Sequence, residues 1–454
     1  MTISQGKTLR VRSFHHVMRS IAGWFVIVLA IILGVVGTVG AFFGAANLLD
    51  SSSLLFLIAF LVGLGVTSGL AWIAARILAR ARRGRIALSV GGATMLVLAV
   101  ASSLTILQPL ADTSHIQSPP LAPPSVSFWD LSTGSHIAYT KISAQGTAKA
   151  NPVIQVGGGP GAPDVDTGEG GRYQSQHFDW LTRLGYDVYI YDQIGSGYSA
   201  RLADPTQYTV ARHVADLEAI RQHIGAPQVI LDAGSWGGEL TANYMAAHPD
   251  RVAKAIIESP TPINPAEWPK TVSITPATRL SAAEKQRYNA LFKQPRFLLW
   301  MQLLQINPIA AHNLVSDQEA DAFMGKLFQS AINGVTCNPN QIPTPRDIPQ
   351  GFGFYDNIFT TNDAQTKHAG PNPRTLLASN RTPTLLMVGE CNYIKWDVAY
   401  QYKTTLPNST LLYFPHAGHV IDRDQPDLYH ASIRAFLLGT PLPLRPYTGT
   451  KPPA

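Results

Sequence analysis

Three long apolar stretches, roughly Ile21–Leu49, Leu54–Leu78 and Ile86–Leu110, dominate the first quarter of the chain. Each is long enough to cross a hydrocarbon core of about 30 Å, and together they predict three transmembrane helices. A cleaved signal peptide fits poorly, because its apolar region is short and occurs once. Beyond them, Ser118–Pro124 is a Pro-rich spacer, and the apolar rhythm then changes. Val126–Leu131 and His136–Ile142 flank a Ser-Thr-Gly-Ser turn and read as a hairpin. Strand-like runs at Pro152–Val156, Asp187–Tyr191, Val229–Leu231 and Val252–Ile257 alternate with helical patterns at 210–224 and Trp236–Ala247. Such βαβα alternation predicts a mainly parallel sheet flanked by helices. It breaks from about Pro260 to Arg381, where helical pieces such as Pro295–Gln305 and Asp317–Ile332 appear. It resumes at Thr384–Val388 and Thr410–Phe414, and ends on a helix near Asp427–Leu438. The division expected is a membrane domain over 1–111, a linker over 112–124, a core over 125–259 and 382–454, and a helical cap insertion over 260–381.

Charge refines this picture. Hydrophobic residues make up 46% of the chain and charged ones only 14%, well below the roughly 25% of an average soluble domain. Lys7, Arg10, Arg12 and Arg19 precede the first apolar stretch. Arg76, Arg80, Arg82, Arg83 and Arg85 separate the second from the third, and the intervening loop holds only Asp50. Positive charge marks the cytoplasmic side, so the expected location is the cell membrane, N-terminus cytoplasmic and everything after the third helix extracytoplasmic. Of the net +6, the first 111 residues carry +8 and the remainder −2. The basic balance is therefore topological and gives no support to nucleic-acid binding; the expected partner of this end is a lipid bilayer. Cys337 and Cys391 fall in the outer portion, where a disulfide persists, but their pairing stays open at this point. No ligand spacing for a metal surrounds them, and no cofactor is expected.

The chemistry concentrates in three segments. Val229–Asp232 runs through Ala233-Gly234-Ser235-Trp236-Gly237-Gly238 into a helix. Small neighbours at such a strand–turn–helix corner permit the strained apex that lifts a serine hydroxyl above a sheet, and the helix N-terminus behind it favours developing negative charge. Gly157-Gly158-Gly159-Pro160-Gly161 follows an earlier strand. There the N–H of Gly159, with that of Trp236, is expected to form an oxyanion hole, each donor contributing about 2.7–4 kcal/mol of transition-state stabilisation. Phe414-Pro415-His416-Ala417-Gly418-His419 follows the last strand. His419 is the expected base, in the chain order Ser…His, and His416 a solvated loop residue.

Together Gly157–Pro163, Asp192-Gln193-Ile194-Gly195-Ser196-Gly197-Tyr198-Ser199, Gly234–Gly237 and Gly418-His419 resemble the signature series of the proline iminopeptidase-like α/β hydrolases. The resemblance covers about Ser125 to Leu438. It implies the α/β-hydrolase fold with a helical cap insertion, preceded here by three transmembrane helices. It also implies a serine exopeptidase that removes N-terminal residues from peptides, with cap carboxylates holding the substrate amine; Glu267, Asp317, Glu319 and Asp321 are available. Asp192–Ser199 is expected to shape the pocket floor. Four positions depart from the family pattern: Gly157 replaces a histidine, Ala233 a glycine, Ile194 an arginine, and Asn392 stands in the slot of the triad aspartate. That acid orients the histidine and stabilises its imidazolium, and Asp-to-Asn replacement in serine proteases costs about 10⁴ in turnover. Glu258, ending the strand after the nucleophile helix, is the displaced-acid candidate, with Asp397 weaker; alternatively Asn392 suffices, or catalysis is impaired. The functions open to this set are an aminopeptidase, an esterase or lipase-like hydrolase acting on small esters or lipids, and a catalytically impaired binding protein.

Overall fold

The computed structural model describes residues 3–114, 116–165, 178–268, 275–337, 351–366 and 372–453, with side chains from 14 onward. Two compact units emerge. One holds 1–109 together with 293–316, the other 110–292 and 317–454.

In the first unit, helices α1 (Ile3–Ala46), α2 (Ser52–Ile77) and α3 (Arg83–Ser103) are each long and apolar enough to span a membrane. The first begins well upstream of the apolar run, because the basic segment before it continues the same helix. Small residues set the contacts between them: Gly34 lies against Thr67, Gly63 against Thr38, and Gly91 against Ser68. Each place lacks room for a Cβ, which is how helices approach where no hydrophobic driving force acts between them. The segment 293–316 contributes two short helices, Pro295–Ile306 and Pro308–Leu314. They are fastened to the α1–α2 loop by Asn307, whose Nδ2 donates to Ala46 O (3.0 Å) and Asp50 Oδ1 (2.9 Å), and by Asn313, whose Nδ2 donates to Asp50 O (3.0 Å). The insertion expected as one cap over 260–381 is thus divided, its middle belonging with the apolar helices.

The second unit is built on an eight-stranded sheet. Its strands are β1 (Ser127–Asp130), β2 (His136–Ile142), β3 (Val153–Val156), β4 (Val188–Tyr191), β5 (Val229–Gly234), β6 (Val252–Glu258), β7 (Thr384–Gly389) and β8 (Ser409–Phe414). The order is β1-β2-β4-β3-β5-β6-β7-β8; β2 pairs antiparallel with β1 and β4, and every other pairing is parallel. Parallel strands covered on both faces read as continuous apolar runs, and β7 is buried at all six positions. One face carries Val188, Ile230, Ile256, Leu385, Leu412 and Phe414 against Ile433 and Leu437 of the closing helix Pro426–Leu438. Burying each such side chain stabilises the fold by about 1.5–3 kcal/mol. The closing helix is preceded by a separate short one, Ile421–Asp424, because Pro426 cannot continue it. Between β6 and β7, this unit also holds the helices Ala282–Leu291, Asp317–Ala331, Phe354–Thr366 and Pro373–Leu377.

Candidate active site

Register fixes where the site forms. Gly234 of β5 pairs with Glu258 of β6, Glu258 with Met387 of β7, and Gly389 with Phe414 of β8. The loops leaving β3, β5, β7 and β8 therefore emerge side by side at the carboxyl edge, the usual position for a ligand crevice in an open parallel sheet.

Ser235 sits between β5 and the helix Trp236–Ala247 with φ 57° and ψ −122°. A non-glycine residue in this region is strained, and such strain gathers at functional sites. The corner is held by Ser235 N donating to Glu258 O at 2.9 Å. It depends on its glycines: a Cβ on Gly237 would strike the backbone of Val156, and one on Gly238 the Pro260 ring at 2.7 Å. The backbone N–H of Trp236, the first residue of the helix, has no intrahelical acceptor. Gly158 lies against the serine, where an added Cβ would come 3.2 Å from Ser235 Cβ, and Gly159 follows at φ 111°. The Gly-rich loop and the helix N-terminus thus flank one hydroxyl.

The segment Asp192–Ser199 supports that loop from below. Asp192 Oδ1 accepts from Asp164 N (2.7 Å) and Val165 N (2.9 Å), and its Oδ2 from Tyr198 N (2.8 Å). Burial pushes this carboxyl up to about 6, while the three backbone donors and Arg201 pull the other way. Gln193 Nε2 donates to Gly157 O at 3.0 Å. The Asp164 carboxyl fills the space that a side chain at Gly157 would take, so an acid from seven residues further along the same loop stands where the resemblance leads one to expect a histidine.

The backbone N–H of His419 donates to Val335 O at 2.7 Å, and the residue is 8% exposed. Its Nδ1 lies 2.9 Å from Asn392 Oδ1. Ile394 N also donates to that oxygen, at 3.1 Å. The backbone donor fixes which end of the amide faces the ring, so Nδ1 carries the proton and Nε2 is left as acceptor. Burial drives the imidazole down to about 3, and an amide supplies no charge to oppose this.

Glu258, the displaced-acid candidate, points elsewhere. Its Oε1 accepts from Ile421 N at 2.5 Å, and burial is the main cause lifting its carboxyl to about 8, with Asp422 and Asp232 adding to it. The structure brings Asn392, not Glu258, to the histidine. Asp397 is exposed in the first turn of the helix Trp396–Thr405. His416 is exposed as well, its Nδ1 3.5 Å from Glu390.

Sequence reasoning missed Tyr393. Its hydroxyl lies 3.2 Å from His419 Nε2 and close enough to Ser235 for the serine to favour its ionised form, and its ring lies 4.2 Å, centroid to centroid, from the imidazole. The signal available was its place directly after Asn392, in a loop leaving β7. Cys337 and Cys391 form a disulfide, Cα–Cα 5.4 Å, which ties this loop to the segment following the helix Asp317–Ala331. Cys391 N donates to Ala417 O at 2.8 Å and so links it to the histidine loop. Three of the four cap carboxylates have partners of their own. Asp321 pairs with Arg201 at 2.9 Å, Glu267 with Arg374 at 3.2 Å, and Glu319 Oε1 accepts from Leu110 N at 2.9 Å. Asp317 begins the helix Asp317–Ala331.

A serine raised on a strained strand–helix corner, a glycine loop beside it and a buried histidine in the loop after the last strand define an α/β hydrolase. A family model described as alpha/beta hydrolase fold matches residues 151–421, and the chain belongs to that family. Within it the chain is proline iminopeptidase-like. The proline iminopeptidase of Lactiplantibacillus plantarum is 23% identical over 311 residues, which span 66% of this chain and 96% of that protein. That of Levilactobacillus brevis is 23% identical over 305 residues, 66% of this chain and 92% of the relative. Among solved structures, an esterase from Thermogutta terrifontis matches with TM-score 0.47 at 18% identity, covering 69% of this chain and 98% of that one. The proline iminopeptidase of Mycobacterium smegmatis matches with TM-score 0.44 at 18% identity, covering 69% and 98%.

Proposed function

We propose that this chain is a membrane-anchored serine hydrolase acting outside the cytoplasm as an aminopeptidase. Ser235 is the nucleophile and His419 the base. Asn392 holds the imidazole in the productive tautomer, and the N–H groups of Gly159 and Trp236 receive the oxyanion. The observation that carries the reading is the 2.9 Å contact of His419 Nδ1 with an Asn392 oxygen already fixed by Ile394 N. It leaves Nε2 unprotonated, as the acceptor nitrogen of the ring. The peptide substrate rests on likeness to the proline iminopeptidases, and the outward orientation on the arginines between α2 and α3. The test is fluorophosphonate labelling of the full chain in detergent, wild type against Ser235→Ala, followed by aminoacyl-anilide and acyl-ester substrates. Labelling lost in Ser235→Ala and turnover of aminoacyl substrates support the proposal; absence of Ser235-dependent labelling refutes it.

One observation favours a second reading, an esterase. A free α-amino group needs a carboxylate partner, and Asp321, Glu267 and Glu319 are already committed to Arg201, Arg374 and Leu110 N. Turnover of acyl esters with none of aminoacyl substrates selects it. Ser235-independent behaviour in both assays leaves a binding protein that retains the fold.

A further inference from the structure

We propose that the Tyr393 hydroxyl is a catalytic proton relay between Ser235 and His419, so that the base takes the serine proton through a phenol and not directly. The inference rests on the serine-hydrolase reading and deepens it.

The geometry assigns each proton. Because Asn392 Oδ1 accepts from Ile394 N, it faces a protonated Nδ1, and His419 Nε2 must accept. The group within reach of Nε2 is Tyr393 Oη, at 3.2 Å. A phenol has one proton; once this is given to Nε2, Oη can meet the neighbouring Ser235 only as an acceptor, with the serine O–H donating, the sense in which Ser235 favours the ionised phenol. Among the described residues no direct hydrogen bond joins Ser235 to His419. The chain therefore reads Ser235 Oγ–H to Tyr393 Oη–H to His419 Nε2. The tyrosine ring lies against the imidazole, with centroids 4.2 Å apart, so the two aromatic groups hold each other in place.

The step balances without an ionised phenol. As Ser235 Oγ bonds to the substrate carbonyl carbon, its proton passes to Tyr393 Oη while the phenol proton passes to Nε2. The carbonyl π pair moves onto its oxygen. Collapse expels the leaving group, which takes a proton from Tyr393 as His419 returns one to the phenol. Burial raises the phenol above its ordinary value, which disfavours a free phenolate and couples the two transfers.

The experiment uses the full chain in detergent and measures the second-order rate of fluorophosphonate labelling for wild type, Ser235→Ala and Tyr393→Phe, with thermal unfolding of each. Phenylalanine keeps the ring contact and removes only the relay oxygen. A fall of about 100-fold or more in Tyr393→Phe, on the scale of general acid–base catalysis, is the result expected. The wild-type rate in H₂O–D₂O mixtures is expected to curve, as two protons in flight require. Labelling of Tyr393→Phe at or above the wild-type rate overturns the relay while leaving the hydrolase reading intact. A straight-line isotope dependence of the wild type overturns it even where the variant folds poorly. Wild type no more reactive than Ser235→Ala removes the hydrolase reading and the relay with it.

Discussion

Asn392→Asp puts the charge back where the family pattern has it, and the structure sets the size of the response. The amide oxygen is 2.9 Å from His419 Nδ1, and Ile394 N fixes its orientation. The tautomer is thus already right, and the substitution adds charge alone. A hydrogen bond to a charged group is worth about 1.5–3 kcal/mol against about 1 for a neutral one, a gain of roughly 1 kcal/mol. Unit charges 4 Å apart at an effective dielectric of 20 attract by about 4 kcal/mol. At about 1.36 kcal/mol per decade, kcat/KM rises between roughly fivefold and a thousandfold. The pH profile separates this from a packing effect. In the wild type the imidazole titrates at about 3, so the base form is present throughout the neutral range and the rate shows no acid limb from His419. A carboxylate raises that value, and the variant's rate then falls as pH drops through it. Stopped-flow labelling by a fluorophosphonate from pH 5 to 9 reads both. A variant with wild-type rates and a flat profile refutes the reasoning. If Glu258→Gln then abolished labelling, the acid would be Glu258 after all.

Three further outcomes follow from particular contacts. Burial lifts Glu258 and Glu239 to about 8 and Asp232 to about 7; the native state then holds more protons than the unfolded chain between their unfolded and folded values. Stability should decline as pH rises from about 4.5 to 8, and Glu258→Gln should flatten the slope of Tm against pH; a slope equal to wild type counts against it. The Cys337–Cys391 disulfide, 54 residues apart in sequence, should contribute about 4 kcal/mol by loop-closure entropy. Cys337→Ser should lower Tm and, because Cys391 adjoins Asn392, slow labelling; unchanged labelling would mean the loop holds itself. Arg201→Ala strands the buried carboxyl of Asp321 and should cost about 3–5 kcal/mol in denaturant unfolding, with Arg201→Ala/Asp321→Asn recovering part of it.

The sheet was legible in the sequence because its strands are covered on both faces and read as apolar runs with helical periods between them; β3, β4, β6, β7 and β8 lie within one residue of their expected bounds, and β5 runs on from Leu231 to Gly234. The start of α1 was not. Its polar, basic first turns carry no apolar period, yet nothing in them stops a helix that has formed downstream. Nor could periodicity divide the insertion, since Asn307 and Asn313 find their acceptors in a loop some 260 residues earlier. The corner at Ser235 was readable because its strain demands small neighbours, and demands of that kind are written locally.

The partner of the base was harder to read because two principles competed. Charge argued for Glu258, whereas the spacing after Gly389 argued for Asn392. Position prevails: the loop leaving β7 delivers its residues to the histidine, while the end of β6 delivers Glu258 to Ile421 N. A carboxyl at Glu258, lifted to about 8, is a poor source of negative charge at neutral pH in any case. The same loop holds the histidine ring without a carboxylate on it. Asn392 fixes the tautomer through Nδ1, and Tyr393, the next residue, occupies Nε2. One dipeptide therefore contacts both ring nitrogens, and the disulfide at Cys391 anchors it from the residue before. The charge that the usual acid would supply has been exchanged for position, and Asn392→Asp measures the size of that exchange.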